Sequence, residues 1–161
     1  LVLTGTGRGF CAGADVQGIL QSDAHLDGAE RRRRLERCHD LMLALKELGK
    51  PTVAAVNGVA AGGGWGLALG TDVIVASTRA RFVSPFAAIG LVPDLGAMHA
   101  LGRRVGVARA RDLFLTRDQV SVMEAVELGA VDHVVPHDRL LDSARDLILG
   151  MSERYAPGRV A

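Results

Sequence analysis

Thr52-Val-Ala-Ala-Val-Asn-Gly-Val-Ala-Ala-Gly-Gly-Gly-Trp-Gly66 passes from an unbroken apolar run into a run of glycines. Thr52–Asn57 has little polar alternation, which is the pattern of a strand buried on both faces. The glycines after it put small residues where the strand ends and a helix over Gly63–Gly70 begins. Free backbone N–H groups then point outward with nothing bulky to block a ligand. A strand that turns through glycine into a helix is the building unit of a layered α/β fold.

The rest of the chain repeats that alternation. Further apolar stretches at Leu1–Thr4, Asp72–Ala76 and Val131–Val135 read as strands. Asp27–Leu48 carries Leu35, Cys38, Leu41, Met42, Leu45 and Leu48 at spacings of three and four, which predicts a helix with one buried stripe. It stops at Gly49-Lys-Pro51, a strong C-terminal signal. Helices are also predicted over Leu95–Arg103, Ala108–Leu115, Ser121–Leu128 and His137–Glu153. Ser121 with Glu124 three residues later forms a capping-box pattern. Alternating strands and helices call for right-handed crossovers in a single domain over residues 1–161. The chain opens in a strand already under way, and Arg154-Tyr-Ala-Pro-Gly-Arg-Val-Ala161 follows directly on a helical pattern. Both ends therefore read as truncated.

Composition limits the functions available. The chain has 161 residues, of which 48% are hydrophobic and 23% charged, with a net charge of +1. That is ample apolar material for a core, and no overall field draws in nucleic acid or an anionic membrane surface. No apolar run is long enough for a membrane helix. Cys11 and Cys38 lack metal-ligand spacing and cannot build a disulfide framework, so the reading is of a cytoplasmic protein. No metal site is expected, and Ser84 has no evident triad partners. Arg31-Arg-Arg-Arg34 and Arg37 interleave with Glu30, Glu36 and Asp40, the signature of a solvated helix face.

A second glycine-rich segment, Gly5-Thr-Gly-Arg-Gly-Phe-Cys-Ala-Gly-Ala-Asp15, follows the strand Leu1–Thr4 and shares the design of the first. Glycines at such junctions also serve close backbone packing. A dinucleotide-binding reading fails on the G-x-G-x-x-G spacing. Two such turns that converge supply a pair of donors to one developing oxyanion, the device that stabilises enolates and tetrahedral intermediates.

Phe10-Cys-Ala-Gly-Ala-Asp-Val16 and Pro51-Thr-Val-Ala-Ala-Val-Asn-Gly-Val-Ala-Ala-Gly-Gly-Gly64 closely resemble the two signature segments of the crotonase superfamily, the enoyl-CoA hydratase/isomerase family. The likeness continues through Asp72-Val-Ile-Val-Ala76, Ala80-Arg-Phe82, Gly90-Leu-Val-Pro93 and Ala125-Val-Glu-Leu-Gly-Ala-Val-Asp132. It implies an α/β fold wound as a spiral of ββα turns. It also implies oxyanion-hole N–H groups at Ala14 and Gly63, and coenzyme A lying along the backbone of Ala12 and Val16. The substrate it implies is an acyl-CoA thioester, with no cofactor beyond the coenzyme A that the substrate carries. The assembly implied is a homotrimer or a hexamer built from two trimers.

The carboxylates separate the reactions of this family. Its hydratases use two glutamates, at positions that here hold Gly66 and Phe86. Neither residue can move a proton. One acid remains, Asp94 in Gly90-Leu-Val-Pro-Asp-Leu-Gly96, among Phe86, Ile89, Leu91, Val92 and Leu95. Apolar neighbours would desolvate the carboxylate and make it a stronger base. A single acid that takes a proton from one carbon and returns it two carbons away is sufficient to shift a double bond. The segment Phe82–Asp94 looks most like the isomerase branch that includes phenylacetate-pathway isomerases, in which the acid at the Asp94 position is catalytic. The competing role for Asp94 is N-cap of a helix starting at Leu95. The rival functions are an enoyl-CoA hydratase, a non-catalytic acyl-CoA binder, and a nucleotide-dependent oxidoreductase.

Overall fold

The computed structural model describes residues 1–18 and 25–154. Two four-stranded sheets are wound together, and from the first strand to the sixth successive strands alternate between them. The first sheet holds β1 (Val2–Thr4), β3 (Val53–Val56), β5 (Val73–Ser77) and β8 (His133–Val135), in the order β1-β3-β5-β8 and all parallel. The second holds β2 (Gly9–Cys11), β4 (Val59–Ala61), β6 (Arg81–Val83) and β7 (Gln119–Ser121), in the order β2-β4-β6-β7, with only β7 antiparallel. Each of the first three turns of chain thus lays one strand in each sheet before it crosses over, which is a spiral of ββα turns, and β7 and β8 then extend the two sheets.

Four of these strands were not anticipated: all of the second sheet lies in segments read as glycine loops, family motif or helix cap. Three-residue strands are too short to show a period of two, and Gly9 and Ala61 carry no β-branched side chain to mark them.

The helices are α1 (Gly28–Lys46), α2 (Gly63–Leu69), α3 (Ala97–Val105), α4 (Val107–Thr116), α5 (Val122–Glu127) and α6 (Leu140–Arg154). Ser121 caps α5 by accepting from the Glu124 N–H at 3.2 Å, while the Glu124 carboxylate turns to Arg117. The complete reciprocal box is at α1, between Asp27 and Glu30. The apolar stripe of α1 departs from its reading. Leu45 is buried, but Leu35 and Leu41 are 52% and 55% exposed, and Cys38 and Leu48 are exposed too. Met42 and Leu45 lie against Gly70 at the end of α2. The basic residues of α1 lie on its solvated face, where Arg32 pairs with Glu36 at 3.0 Å. Tyr155 to Ala161, the end read as truncated, lies outside the described residues.

Alternation along β3 and β5 divides the core. Ala54, Val56, Ile74 and Ala76 face the main cluster around Trp65, Phe82 and Phe114, while Val53, Ala55 and Val75 face Leu140 and Ala144 of α6. The register of β3 and β5 is held at their starts. The Thr52 N–H and hydroxyl donate to Asp72 Oδ2 at 2.8 and 2.7 Å, and the Asp72 N–H donates back to Thr52 Oγ1 at 2.9 Å. Arg104 ties the far end of α3 to the same region. Its Nη1 donates to both Asp132 oxygens at 3.1 and 2.9 Å and its Nη2 to the Asp72 carbonyl at 3.2 Å. No helix among the described residues is long and apolar enough to cross a membrane.

Candidate active site

The two glycine-rich segments meet where β2 and β4 end. Asn57, buried at the turn between β3 and β4, binds the first segment to the second. Its Nδ2 donates to the carbonyls of Gly7 and Gly9 at 3.0 and 3.2 Å, and its Oδ1 accepts from the Gly5 N–H at 3.3 Å. Further on, Gly13 sits at φ 83°, and a methyl group on its Cα would stand 2.6 Å from the Ala61 carbonyl oxygen and 3.4 Å from the Gly63 nitrogen. Only glycine permits both that backbone angle and that approach. The approach brings the peptide preceding Ala14 against the start of α2.

Gly63 is the first residue of α2, so its N–H has no acceptor one turn earlier. Among the described residues the N–H groups of Ala14 and Gly63 donate to no protein acceptor. Ala14 and Ala12 are exposed, Gly63 and Val16 half-buried. Cys11 is a free thiol whose Cβ and carbonyl press on Gly64, so its place is one of packing.

The third segment arrives from the other side. A methyl on Gly63 Cα would lie 3.8 Å from Asp94 Oδ1 and 2.6 Å from Leu95 Cδ1. Asp94 is therefore brought beside Gly63, and its carboxylate accepts no hydrogen bond among the described residues. Two readings of this segment are corrected. The helix begins at Ala97 with Gly96 as its cap residue, so Asp94 is not an N-cap. Asp94 is also exposed, as are Ile89, Leu91 and Val92, so within this chain these neighbours do not desolvate it.

What precedes the helix is a tight turn. The Ala97 N–H donates to the Asp94 carbonyl at 2.8 Å, and the two central residues, Leu95 and Gly96, have φ of 48° and 68°. Positive φ at both central positions defines a type I′ turn, which glycine, asparagine and aspartate dominate. Leu95 is the one non-glycine residue with positive φ among the described residues. A left-handed conformation costs such a residue about 1–2 kcal/mol.

The two positions to which the resemblance assigns hydratase glutamates offer no acid. At Gly66 a Cβ would fall 3.2 Å from both the Cβ and the carbonyl oxygen of Leu95, and 3.3 Å from Ala97 Cβ. Phe86 is buried in the core with its ring edge-on to Phe114 at 5.9 Å. Trp65, fully buried, packs on Phe82 and Phe114 at centroid distances of 5.5 and 5.6 Å. It is a core residue and does not line the site. Its Nε1, like the buried Ser84 hydroxyl, has no hydrogen-bond partner among the described residues. His99 is exposed on α3, and the described residues include no group of three or more His, Cys, Asp or Glu able to hold a metal.

Two residues of the site were not singled out from sequence. Asn57 was legible in kind, since an Asn-Gly pair after a strand marks a side chain that bonds local backbone. Leu95 was not, because nothing about leucine signals a left-handed turn.

Comparison with known proteins agrees with this architecture. The family model of enoyl-CoA hydratase/isomerase matches residues 1–156. The chain is 42% identical over 152 residues to 1,2-epoxyphenylacetyl-CoA isomerase of Escherichia coli K12, covering 91% of this chain and 56% of that protein. It is 40% identical over 156 residues to a "probable enoyl-CoA hydratase" of Mycobacterium leprae, covering 94% and 53% respectively. The crystal structure of an enoyl-CoA hydratase/isomerase from Cupriavidus metallidurans CH34 superposes with a TM-score of 0.88 at 35% identity, over 98% of this chain and 58% of that one. The spiral is thus a crotonase fold, and the chain belongs to the enoyl-CoA hydratase/isomerase family. It spans a little over half the length of these relatives.

Proposed function

We propose that the protein is an acyl-CoA enzyme that moves the double bond of a 3-enoyl-CoA to the 2-position with Asp94 as its only acid–base group. The Ala14 and Gly63 N–H groups would hold the thioester oxygen, and the backbone of Ala12 and Val16 would face the coenzyme A. Asp94 takes a proton from C2, and the electron pair moves onto the thioester oxygen as a dienolate. The acid then returns the proton to C4 as the C2–C3 double bond forms. Every atom of the substrate is conserved, Asp94 is regenerated, and no cofactor beyond the bound thioester takes part. Two aimed donors suit this charge, since one such donor is worth about 2.7–4 kcal/mol of barrier.

The observation that carries the reading is that Asp94 Oδ1 stands 3.8 Å from a methyl position on Gly63, whereas residues 66 and 86 offer no acid. The relative named as an isomerase is consistent with it. The oligomer proposed for the full protein is a homotrimer or hexamer.

The test is Asp94→Asn in the full chain, with 3-hexenoyl-CoA and crotonyl-CoA assayed side by side. The expectation is a fall in isomerisation of about a hundredfold to ten-thousandfold with acyl-CoA binding retained. Full isomerase activity in the variant, or hydration of crotonyl-CoA as the sole activity of the native protein, would overturn it.

A further inference from the structure

Among the described residues Asp94 has no hydrogen-bond partner to aim its carboxylate, so its direction comes from the backbone that carries it. That backbone is the turn closed by the Ala97 N–H on the Asp94 carbonyl, with Leu95 at its first central position. Leucine at φ 48° is a poor choice for the turn unless something compensates it. The compensation is visible in its contacts. The Leu95 side chain enters the slot that the missing side chains of Gly63 and Gly66 leave open, with Cδ1 2.6 Å from a methyl position on Gly63 and Cβ 3.2 Å from one on Gly66. Gly63 is also the residue that Asp94 faces.

We infer that Leu95 is a positioning residue: its side chain, anchored against Gly63 and Gly66, holds the turn left-handed and so keeps the Asp94 carboxylate beside Gly63. The inference rests on the proposal that Asp94 is the acid–base group. It assigns to Leu95 the alignment of that group and no contact with the reacting carbons.

An anchor in a strained turn leaves a signature that simple packing does not. Alanine at 95 keeps the Cβ that disfavours positive φ but loses the anchor, so the turn relaxes and Asp94 swings away. Glycine loses more atoms but adopts the left-handed angle at no steric cost. Methionine fills an irregular slot much as leucine does. Catalysis should therefore rank native and Leu95→Met highest, then Leu95→Gly, then Leu95→Ala. A residue that only fills space would rank Leu95→Ala above Leu95→Gly.

The experiment measures kcat and KM for 3-hexenoyl-CoA in the full chain for these three variants and for Asp94→Asn, with a urea melt of each. Leu95→Ala should lower kcat by about tenfold to a hundredfold, the scale of a small misplacement of a reacting group, with KM little changed. Leu95→Gly should lose several-fold less than Leu95→Ala, and Leu95→Met should restore kcat to within about threefold of native. Native kcat in Leu95→Ala, or a higher kcat in Leu95→Ala than in Leu95→Gly, overturns the inference. If Leu95→Ala fails to fold, a native kcat in Leu95→Gly overturns it and a reduced kcat rescued by Leu95→Met supports it. Full activity in Asp94→Asn instead removes the proposal beneath it, so the two failures are told apart.

Discussion

Replacing Asn57 by alanine removes three hydrogen bonds at once, those to the Gly7 and Gly9 carbonyls and that from the Gly5 N–H. Each is neutral, and a typical net contribution is about 1 kcal/mol. Gly7 is exposed, so water can replace the bond to its carbonyl, whereas Gly5 and Gly9 are half-buried. The expected loss is then about 2 kcal/mol. For a chain of this size that lowers Tm by about 4–8 °C. Asn57→Asp provides the sharper contrast. A carboxylate keeps an acceptor for Gly5 but has no donor, so it sets a charge against two carbonyl oxygens now about 3 Å from the amide nitrogen. At a position only 8% exposed it should cost more than the alanine. Urea melts of the native protein and both variants measure the two losses. Amide exchange at Gly5, whose N–H donates to Asn57 alone, reports whether the first glycine-rich segment has come loose. An alanine variant within about 0.5 kcal/mol of native, or an aspartate variant as stable as the alanine, would refute the view that this side chain ties the two segments together.

Trp65→Phe should cost less than about 1.5 kcal/mol, because the indole N–H it removes is buried without a partner, whereas Trp65→Ala should cost about 3–5 kcal/mol in the same urea melt. Arg104→Met should destabilise by about 1.5–3 kcal/mol, since Asp132 and the Asp72 carbonyl both lose a charged donor. Asp132→Asn should cost less than Arg104→Met, because an amide oxygen still accepts from the Ile74 N–H, now bonded at 2.7 Å. Gly64→Ala should cost about 1–3 kcal/mol by calorimetry or urea melt, because the added methyl meets the Cys11 backbone and β2 must shift to admit it.

How far the sequence could be read depended on the length scale of each feature. Val53–Val56 and Val73–Ser77 are fully or nearly buried runs, and an unbroken apolar stretch is visible without any partner in view. The capping residues Asp27 and Ser121 act within four residues of chain, and Ser121 was legible as a cap. The second sheet was hidden because its strands are three residues long and draw their hydrogen bonds from neighbours far away in sequence. The spacing in α1 predicted one buried stripe, but spacing cannot tell which residues meet the body, and of the six only Leu45 is buried and Met42 half-buried. At the site, the two glycine segments and Asp94 were legible through their residue types. The turn geometry was not. Aspartate before an apolar helix reads as a cap, and only coordinates show two left-handed residues placed between Asp94 and Ala97.

The absence of two glutamates and the presence of Leu95 are parts of one packing arrangement. Gly66 has no room for a Cβ at ordinary van der Waals distance because the Leu95 backbone and Ala97 occupy that side, with contacts of 3.2–3.3 Å. Phe86 cannot turn outward without leaving Phe114 short of an aromatic partner, a pair worth about 0.5–1.5 kcal/mol beyond its buried area. A glutamate at residue 66 alone would therefore push on the turn that carries Asp94 before it could stand beside that acid. The first effect of such a glutamate would be to displace Asp94. Two-acid chemistry on this scaffold calls for a different turn at 94–97 as well as different residues at 66 and 86.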